Sequence, residues 1–313
     1  MLEAFIAFGI TYSVTPILIR KLKERKIVGV DVHKLTKPIC AEMGGLAVLL
    51  GFVGAFSVSL FLSHNATFDL LPAFLTIIFV GVIGAFDDLF TLRQRYKPFL
   101  VALVSVPLVI GARSYVDIRF PYFGSICFGS FYLLMVPLAV ATASNLTNML
   151  AGFNGLEAGI AVISCFALGI LCILSGKSEL ASLAFILTAA YLAFLRYNWY
   201  PAKIFPGDTG TLMSGAAIAS IAILGHFEVA GTIMMIPSAI DFTLKMISHN
   251  PFSHRKVYGD TSVDVDGNLL PPPYPALTHT FMKATKLKEK DLVLALLFMQ
   301  SFYSILGIAL TIL

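Results

Sequence analysis

The chain has 313 residues, 58% of them hydrophobic and only 13% charged, with 22 Lys and Arg against 18 Asp and Glu and a formal net charge of +4. A soluble domain of this length carries about twice that share of charge, so the composition excludes one and indicates a polytopic membrane protein. Four cysteines (Cys40, Cys127, Cys165 and Cys172) are scattered with no CxxC pair, which indicates neither a zinc site nor a disulfide framework.

A spanning helix needs about 20 apolar residues. Ten stretches approach that length: 2–20, 44–63, 69–86, 98–113, 129–144, 155–175, 178–195, 209–225, 227–247 and 290–312. The expected fold is all-α, with about ten transmembrane helices in a single integral-membrane domain, 1–313. The longest polar stretch is a loop over 248–289, with a short hairpin around Asp266-Gly267. The first apolar stretch does not read as a signal peptide. Glu3 stands in place of a basic leader, and the cluster from Arg20 to Lys26 follows the stretch instead of preceding it. Asp117 to Ser130 reads as an outer loop with some interfacial apolar character.

Ten spans divide the connecting loops into two sets. The set 20–43, 87–97, 145–154, 196–208 and 245–290 holds 19 of the 22 Lys and Arg; only Arg113, Arg119 and Lys177 fall in the other. The positive-inside rule puts the first set in the cytoplasm and both termini outside. Asn65-Ala66-Thr67, on the outer side, fits a glycosylation sequon.

The unusual polar residues gather in the cytoplasmic set. Asn145 to Gly159 interrupts the apolar run with three asparagines, three glycines and Glu157. At membrane depth such a segment is tolerated where protein buries it or a watery cavity receives it. Asparagine offers carbonyl oxygens to a hard cation without adding charge; the bland alternative is a helix end, a tight turn and a Gly155-xxx-Gly159 packing face. Asp87-Asp88 ends the third helix, where the helix dipole disfavours acids. Arg93, Arg95 and Lys97 are the available counter-charges, either as a structural salt-bridge knot or as part of a phosphate or metal pocket. Asp208, in Pro206-Gly207-Asp208-Thr209, is either a helix N-cap or a metal ligand aimed into a pocket. Asp31 and Lys34 read as solvated loop charges, and Glu42 at the mouth of the second helix is the odder residue. His254-Arg255-Lys256 suits phosphate oxygens or anionic lipid heads. Acids, asparagine carbonyls and cations on one face suit a divalent cation with a polyphosphate. A solute transporter would instead place polar residues mid-membrane in broken helices; Asp241 is the main residue of that kind.

With those residues in view, the chain closely resembles the polyprenyl-phosphate N-acetylhexosamine-1-phosphate transferases, and within them the UDP-GlcNAc–dolichyl-phosphate GlcNAc-1-phosphotransferase branch. The resemblance runs along nearly the whole chain. It rests on Asp87-Asp88 with Arg93, Arg95 and Lys97; on Asn145 to Gly159; on Asn198-Trp199-Tyr200-Pro201 with Gly207-Asp208-Thr209; on Leu224-Gly225-His226-Phe227; and on His254-Arg255. Ala151-Gly152-Phe153-Asn154-Gly155 stands where the peptidoglycan and teichoic-acid branches carry Asp-Gly-x-Asp-Gly, which favours the dolichol-type branch. The resemblance implies a Mg2+-dependent transfer, with Mn2+ able to substitute, of GlcNAc-1-phosphate from UDP-GlcNAc to dolichyl (polyprenyl) phosphate. UMP is released, and tunicamycin should inhibit. This is the first step of lipid-linked oligosaccharide assembly for N-glycosylation.

By position, Asn148 and Asp208 should hold the metal, and Lys97 and Arg255, beside His254, should meet the pyrophosphate. Gly152 and Asn154 should contact uracil, Glu42 should sit by the sugar, and Asp87 and Asp88 should line the catalytic floor. The rival readings are another UDP-HexNAc donor, an undecaprenyl phosphate acceptor, or a transporter of a nucleotide-sugar or lipid-linked sugar. Membrane lipids are expected partners and nucleic acid is not; a homodimer is compatible with the sequence. One departure is Ser253, where members of this branch often have an arginine. The long insertions of the eukaryotic enzymes are missing, which points to an archaeal member in the plasma membrane; a eukaryotic one would lie in the endoplasmic reticulum.

Overall fold

The computed structural model describes residues 2–62, 69–113, 116–248 and 261–312. His254, Arg255, Ser253 and the Asn65 sequon lie outside the described residues. The protein is an all-α, polytopic membrane protein. Each of the ten apolar stretches is helical: α1 (Leu2–Glu24), α2 (Gly45–Leu62), α3 (Leu71–Phe90), α4 (Lys97–Val104) with α5 (Val106–Gly111), α6 (Phe131–Met149), α7 (Leu156–Leu174), α8 (Ser178–Asn198), α9 (Gly207–Gly225), α10 (Glu228–Met234) with α11 (Ile236–Ser248), and α13 (Glu289–Ile312). A further short helix, α12 (Leu277–Ala284), precedes the last.

Seven of these helices are long and apolar enough to cross a bilayer alone. The pair α10 and α11, bent by 56°, is apolar enough to make an eighth span if the two cross together, the alternative being a re-entrant loop. Two stretches expected as single helices are broken, each just before a proline. Pro107 follows the break at Ser105, and Pro237 follows the break at Met235. A proline lacks the N–H and clashes with the preceding turn, so the helix restarts with the proline in its first turn.

The core is built on α9. Every residue from Thr209 to Gly225 is buried, because α9 packs against α2, α3, α6, α7, α8 and α10. Small residues make that possible. At Gly84 of α3 a Cβ would lie 2.5 Å from the Asp208 carbonyl oxygen and 2.6 Å from Thr209 Cα, so only glycine lets α3 approach the start of α9.

Among the described residues, three two-stranded antiparallel hairpins decorate the helices: β1 (Val28–Val30) with β2 (Ile39–Ala41), β3 (Asp117–Phe120) with β4 (Gly124–Cys127), and β5 (Ser262–Val263) with β6 (Leu269–Leu270). The third frames Asp264 to Asn268, where Asp264 Oδ1 accepts from the Asn268 N–H at 2.8 Å. The β2 strand docks on the segment before α9: the Phe205 N–H donates to Ala41 O at 2.8 Å, and the Gly44 N–H to Phe205 O at 2.8 Å.

Candidate active site

The first turn of α9 is fixed from several sides. Pro206 precedes it and offers no side-chain cap. Asp88, from the end of α3, supplies the cap instead. Its carboxylate accepts from the Asp208 N–H at 2.7 Å, the Thr209 N–H at 3.1 Å and the Thr209 hydroxyl at 2.6 Å. Those N–H groups have no partner within the helix, and a carboxylate suits the positive end of the dipole. The Tyr191 hydroxyl of α8 donates to Gly210 O at 2.7 Å, and the Thr147 hydroxyl of α6 donates to Thr211 O at 2.8 Å.

The N-cap alternative for Asp208 is thereby set aside. Asp88 does the capping, and the Asp208 side chain is left to point elsewhere. It reaches Lys97: Lys97 Nζ lies 2.5 Å from Asp208 Oδ2 and also pairs with Asp87 Oδ2. Asp87 Oδ1 accepts from the Leu92 N–H at 2.6 Å. Lys97 is 1% exposed, whereas Arg93 and Arg95 are exposed. Lys97 therefore compensates Asp87 while the start of α9 receives Asp88, and of the three cations available for a salt-bridge knot only Lys97 takes part in these pairs.

A cavity of ≈ 280 Å³ opens beside this trio. It is lined by Asn148, Gly152, Phe153 and Glu157 from the end of α6 to the start of α7, by Phe205, Gly207, Asp208 and Thr211 around the start of α9, and by Val30 to His33. Asn148 at the end of α6 and Asp208 at the start of α9 thus face one space. Thr211 sits between them, its hydroxyl 3.2 Å from Asn148 Oδ1 and 3.2 Å from Gly207 O. The donors here are a carboxylate, an amide carbonyl and a hydroxyl, all hard oxygens of the kind Mg2+ prefers. The residues fit that ion.

Gly152 holds φ +111, a conformation that side chains disfavour. Its N–H donates to Glu157 Oε1 at 2.6 Å. His33 stacks on Phe153 at 4.4 Å between ring centroids. Burial holds the His33 imidazole down to about 4, outweighing the charge of Asp31 nearby.

Other expected site residues sit outside the cavity wall. Glu42 lies against Gly29, where a Cβ would collide with its carboxylate. Burial first, and then the charge of Asp88, push its carboxyl above the usual range. Asn154 is 2% exposed and fully engaged. Its Oδ1 accepts from Lys34 Nζ at 2.9 Å and the Ala202 N–H at 2.6 Å, its Nδ2 donates to Asp31 Oδ2 at 3.1 Å, and its N–H donates to Glu289 Oε1 at 2.8 Å.

Asp31 and Lys34, read from the sequence as solvated charges, are instead the centre of a buried network. Asp31 is 2% exposed, and Lys34 pairs with both Asp31 and Glu289. Asp31, His33 and Glu289 have metal-ligand spacing, but the Lys34 ammonium already pairs with both carboxylates. This network braces the loop that carries Gly152 and Phe153. Nothing in the local sequence pairs 31 with 289, so the only signal was the rarity of a loop acid between apolar valines.

Asp241 likewise serves structure. Fully buried, it accepts from the Leu277 N–H at 2.9 Å and pairs with Lys245, which donates to Met149 O at 2.7 Å beside Asn148. His226 closes the far end of α9, about 27 Å from Asp208 at about 1.5 Å per residue. The Leu224-Gly225-His226-Phe227 motif therefore belongs to the opposite face.

An all-α membrane protein with carboxylates and an asparagine carbonyl facing one cavity, and a buried lysine paired to one of those carboxylates, defines a membrane enzyme site suited to phosphate chemistry. The sequence pattern of glycosyl transferase family 4 matches residues 70–226, the segment that holds Asp87, Asp88, Lys97, Asn148 and Asp208. A Saccharolobus solfataricus protein provisionally named UDP-N-acetylglucosamine–dolichyl-phosphate N-acetylglucosaminephosphotransferase is 35% identical over 99% of this chain and 96% of its own length. The Schizosaccharomyces pombe enzyme of that name is 32% identical over 58% of this chain and 46% of its own. A Halalkalibacterium halodurans phospho-N-acetylmuramoyl-pentapeptide-transferase is 33% identical over 73% of this chain and 76% of its own. The chain belongs to glycosyl transferase family 4.

Proposed function

We propose that this protein transfers N-acetylglucosamine-1-phosphate from UDP-N-acetylglucosamine to dolichyl (polyprenyl) phosphate and releases UMP. The observation that carries the reading is the convergence of Asn148 and Asp208 on one cavity, with Lys97 paired to Asp208 beside it. The names of the relatives supply the substrates: two of the three name UDP-N-acetylglucosamine and dolichyl phosphate. In this reading all ten helical stretches cross the membrane, and the cavity faces the cytoplasm. The loops that form it belong to the set rich in Lys and Arg.

Phosphoryl transfer depends chiefly on in-line positioning and on charge neutralisation. An oxygen of the lipid phosphate attacks the phosphorus that bears the sugar. A new P–O bond forms, and the bond to the UMP phosphate breaks. The acceptor is already anionic and needs no base. Asp208 and Asn148 would hold Mg2+, which would supply charge to offset that of the pyrophosphate. Lys97 releases part of its hold on Asp208 to the incoming phosphates, while Asp87 keeps it in place. Asp88 acts by fixing the first turn of α9, and Arg255 with His254 completes the phosphate contacts.

The test is a panel of UDP-sugars against dolichyl and undecaprenyl phosphates, using purified protein with Mg2+. UMP release with UDP-N-acetylglucosamine and dolichyl phosphate supports the reading, and tunicamycin should block it. Preference for another UDP-HexNAc or for undecaprenyl phosphate would move the assignment within the family. Flux of nucleotide-sugar into proteoliposomes without UMP would overturn it.

A further inference from the structure

Glu157 stands in the first turn of α7 and lines the cavity. The simplest account is structural: a carboxylate at a helix N-terminus that satisfies one loop N–H. That role uses one oxygen. Oε1 accepts from the Gly152 N–H at 2.6 Å, while Oε2 is buried and has no hydrogen-bond partner among the described residues. A buried carboxylate oxygen without a donor is costly and rarely left so. A bound ligand that brings a donor removes that cost. The other cavity residues narrow the choice. Asn148 and Asp208, the latter paired with Lys97, mark the end suited to metal and phosphates, which offer only acceptors. Glu157 lies on the side of Gly152, Phe153 and His33, with Phe205 also in the wall. Those rings and the Gly152 backbone suit a flat heterocycle and its sugar, not a phosphate.

We infer that Glu157 is a specificity-determining residue for the nucleoside half of the donor, with Oε2 accepting a hydrogen bond from an N–H or O–H of the uridine. This rests on the reading of the substrate as a UDP-sugar. Two groups supply such a donor, the imide N3–H of uracil and the ribose hydroxyls. A carboxylate there prefers uracil, which offers a donor at N3, over cytosine, which offers an acceptor.

Glu157→Gln separates the two accounts. Glutamine keeps a carbonyl oxygen for Gly152 and turns the second position from acceptor to donor. If Glu157 only braces the loop, the variant behaves as wild type. The inference predicts that the variant raises KM for UDP-N-acetylglucosamine by about tenfold or more, the size expected for a lost hydrogen bond to a charged group, with kcat within about twofold. UMP binding, measured by calorimetry on full-length protein in nanodiscs with Mg2+, should weaken by the same factor. The wild type should lose about tenfold with N3-methyl-UMP if the imide is the donor, or with 2′-deoxy- or 3′-deoxy-UMP if a hydroxyl is. Glu157→Gln should no longer distinguish that analogue from UMP. The analogue series on the wild type stands even if the variant fails to fold. Equal binding of all four nucleotides by the wild type overturns the inference, as does an unchanged KM in a folded variant. If the wild type turns over UDP-N-acetylglucosamine and either result is seen, only the role of Glu157 falls. If it neither binds UMP nor releases it, the reaction assignment falls too.

Discussion

Asp87 and Asp88 are adjacent, yet the structure gives them different work, and Asp88→Asn against Asp208→Asn exposes it. Asp88 holds three donors at the start of α9, at 2.7, 3.1 and 2.6 Å. Asparagine has one acceptor oxygen, so either the Asp208 N–H or the Thr209 pair would face an amide NH2. The charge that favours the helix N-terminus is lost as well. A cap is worth about 0.5–2 kcal/mol, and an unmet buried donor costs about 1–3 kcal/mol. Asp88→Asn should therefore lower stability by about 2–4 kcal/mol. Asp208→Asn should behave in the opposite way. Asp87, Asp208 and Lys97 together carry one excess negative charge in a buried setting. Neutralising Asp208 balances the trio, because Lys97 keeps Asp87 as its partner. Folding should then be unchanged or slightly improved, while turnover is abolished. SDS-titrated unfolding in mixed micelles, followed through Trp199, the only tryptophan, measures both variants. Asp88→Asn as stable as wild type, or Asp208→Asn the less stable of the two, would refute the division of roles.

Lys97→Met should destabilise by about 3–5 kcal/mol, since it strands the 6%-exposed Asp87 without its cation. Adding Asp87→Asn should recover much of that loss without restoring activity, which the same unfolding assay and a UMP assay check together. His33 predicts the acid limb of stability. Above about pH 6.5 the imidazole is neutral in both states; as pH falls toward about 4, only the unfolded chain takes up the proton, so stability declines across that window and levels off below it. The full shift corresponds to at most about 3 kcal/mol. His33→Gln should flatten the curve between those pH values, and a decline of equal size in the variant would assign it elsewhere.

Long apolar runs made the helices legible in the sequence, because a membrane span is a signal of about 20 residues. The breaks at Ser105 and Met235 were not read, although Pro107 and Pro237 announced them. The hairpins β1–β2 and β3–β4 escaped because strands of three or four residues leave no periodicity to detect. At the site, Asp208 and Asn148 stood out as polar residues at helix ends, but their neighbours did not. That Asp88 caps a helix 120 positions away depends on Gly84 letting α3 and α9 touch. That Lys34 joins Asp31 to Glu289 depends on the loop folding back over the start of α13. Contacts of that sequence separation come from packing, and local pattern carries no trace of them.

The central claim is that residues from two separate helices jointly hold one divalent cation beside Lys97. Electron paramagnetic resonance of Mn2+ added to the purified protein with UDP-N-acetylglucosamine, and no lipid acceptor, tests it most directly. The account predicts one tightly bound ion in the wild type, lost both in Asp208→Asn and in Asn148→Ala. An ion that remains bound with unchanged affinity in either variant would contradict it.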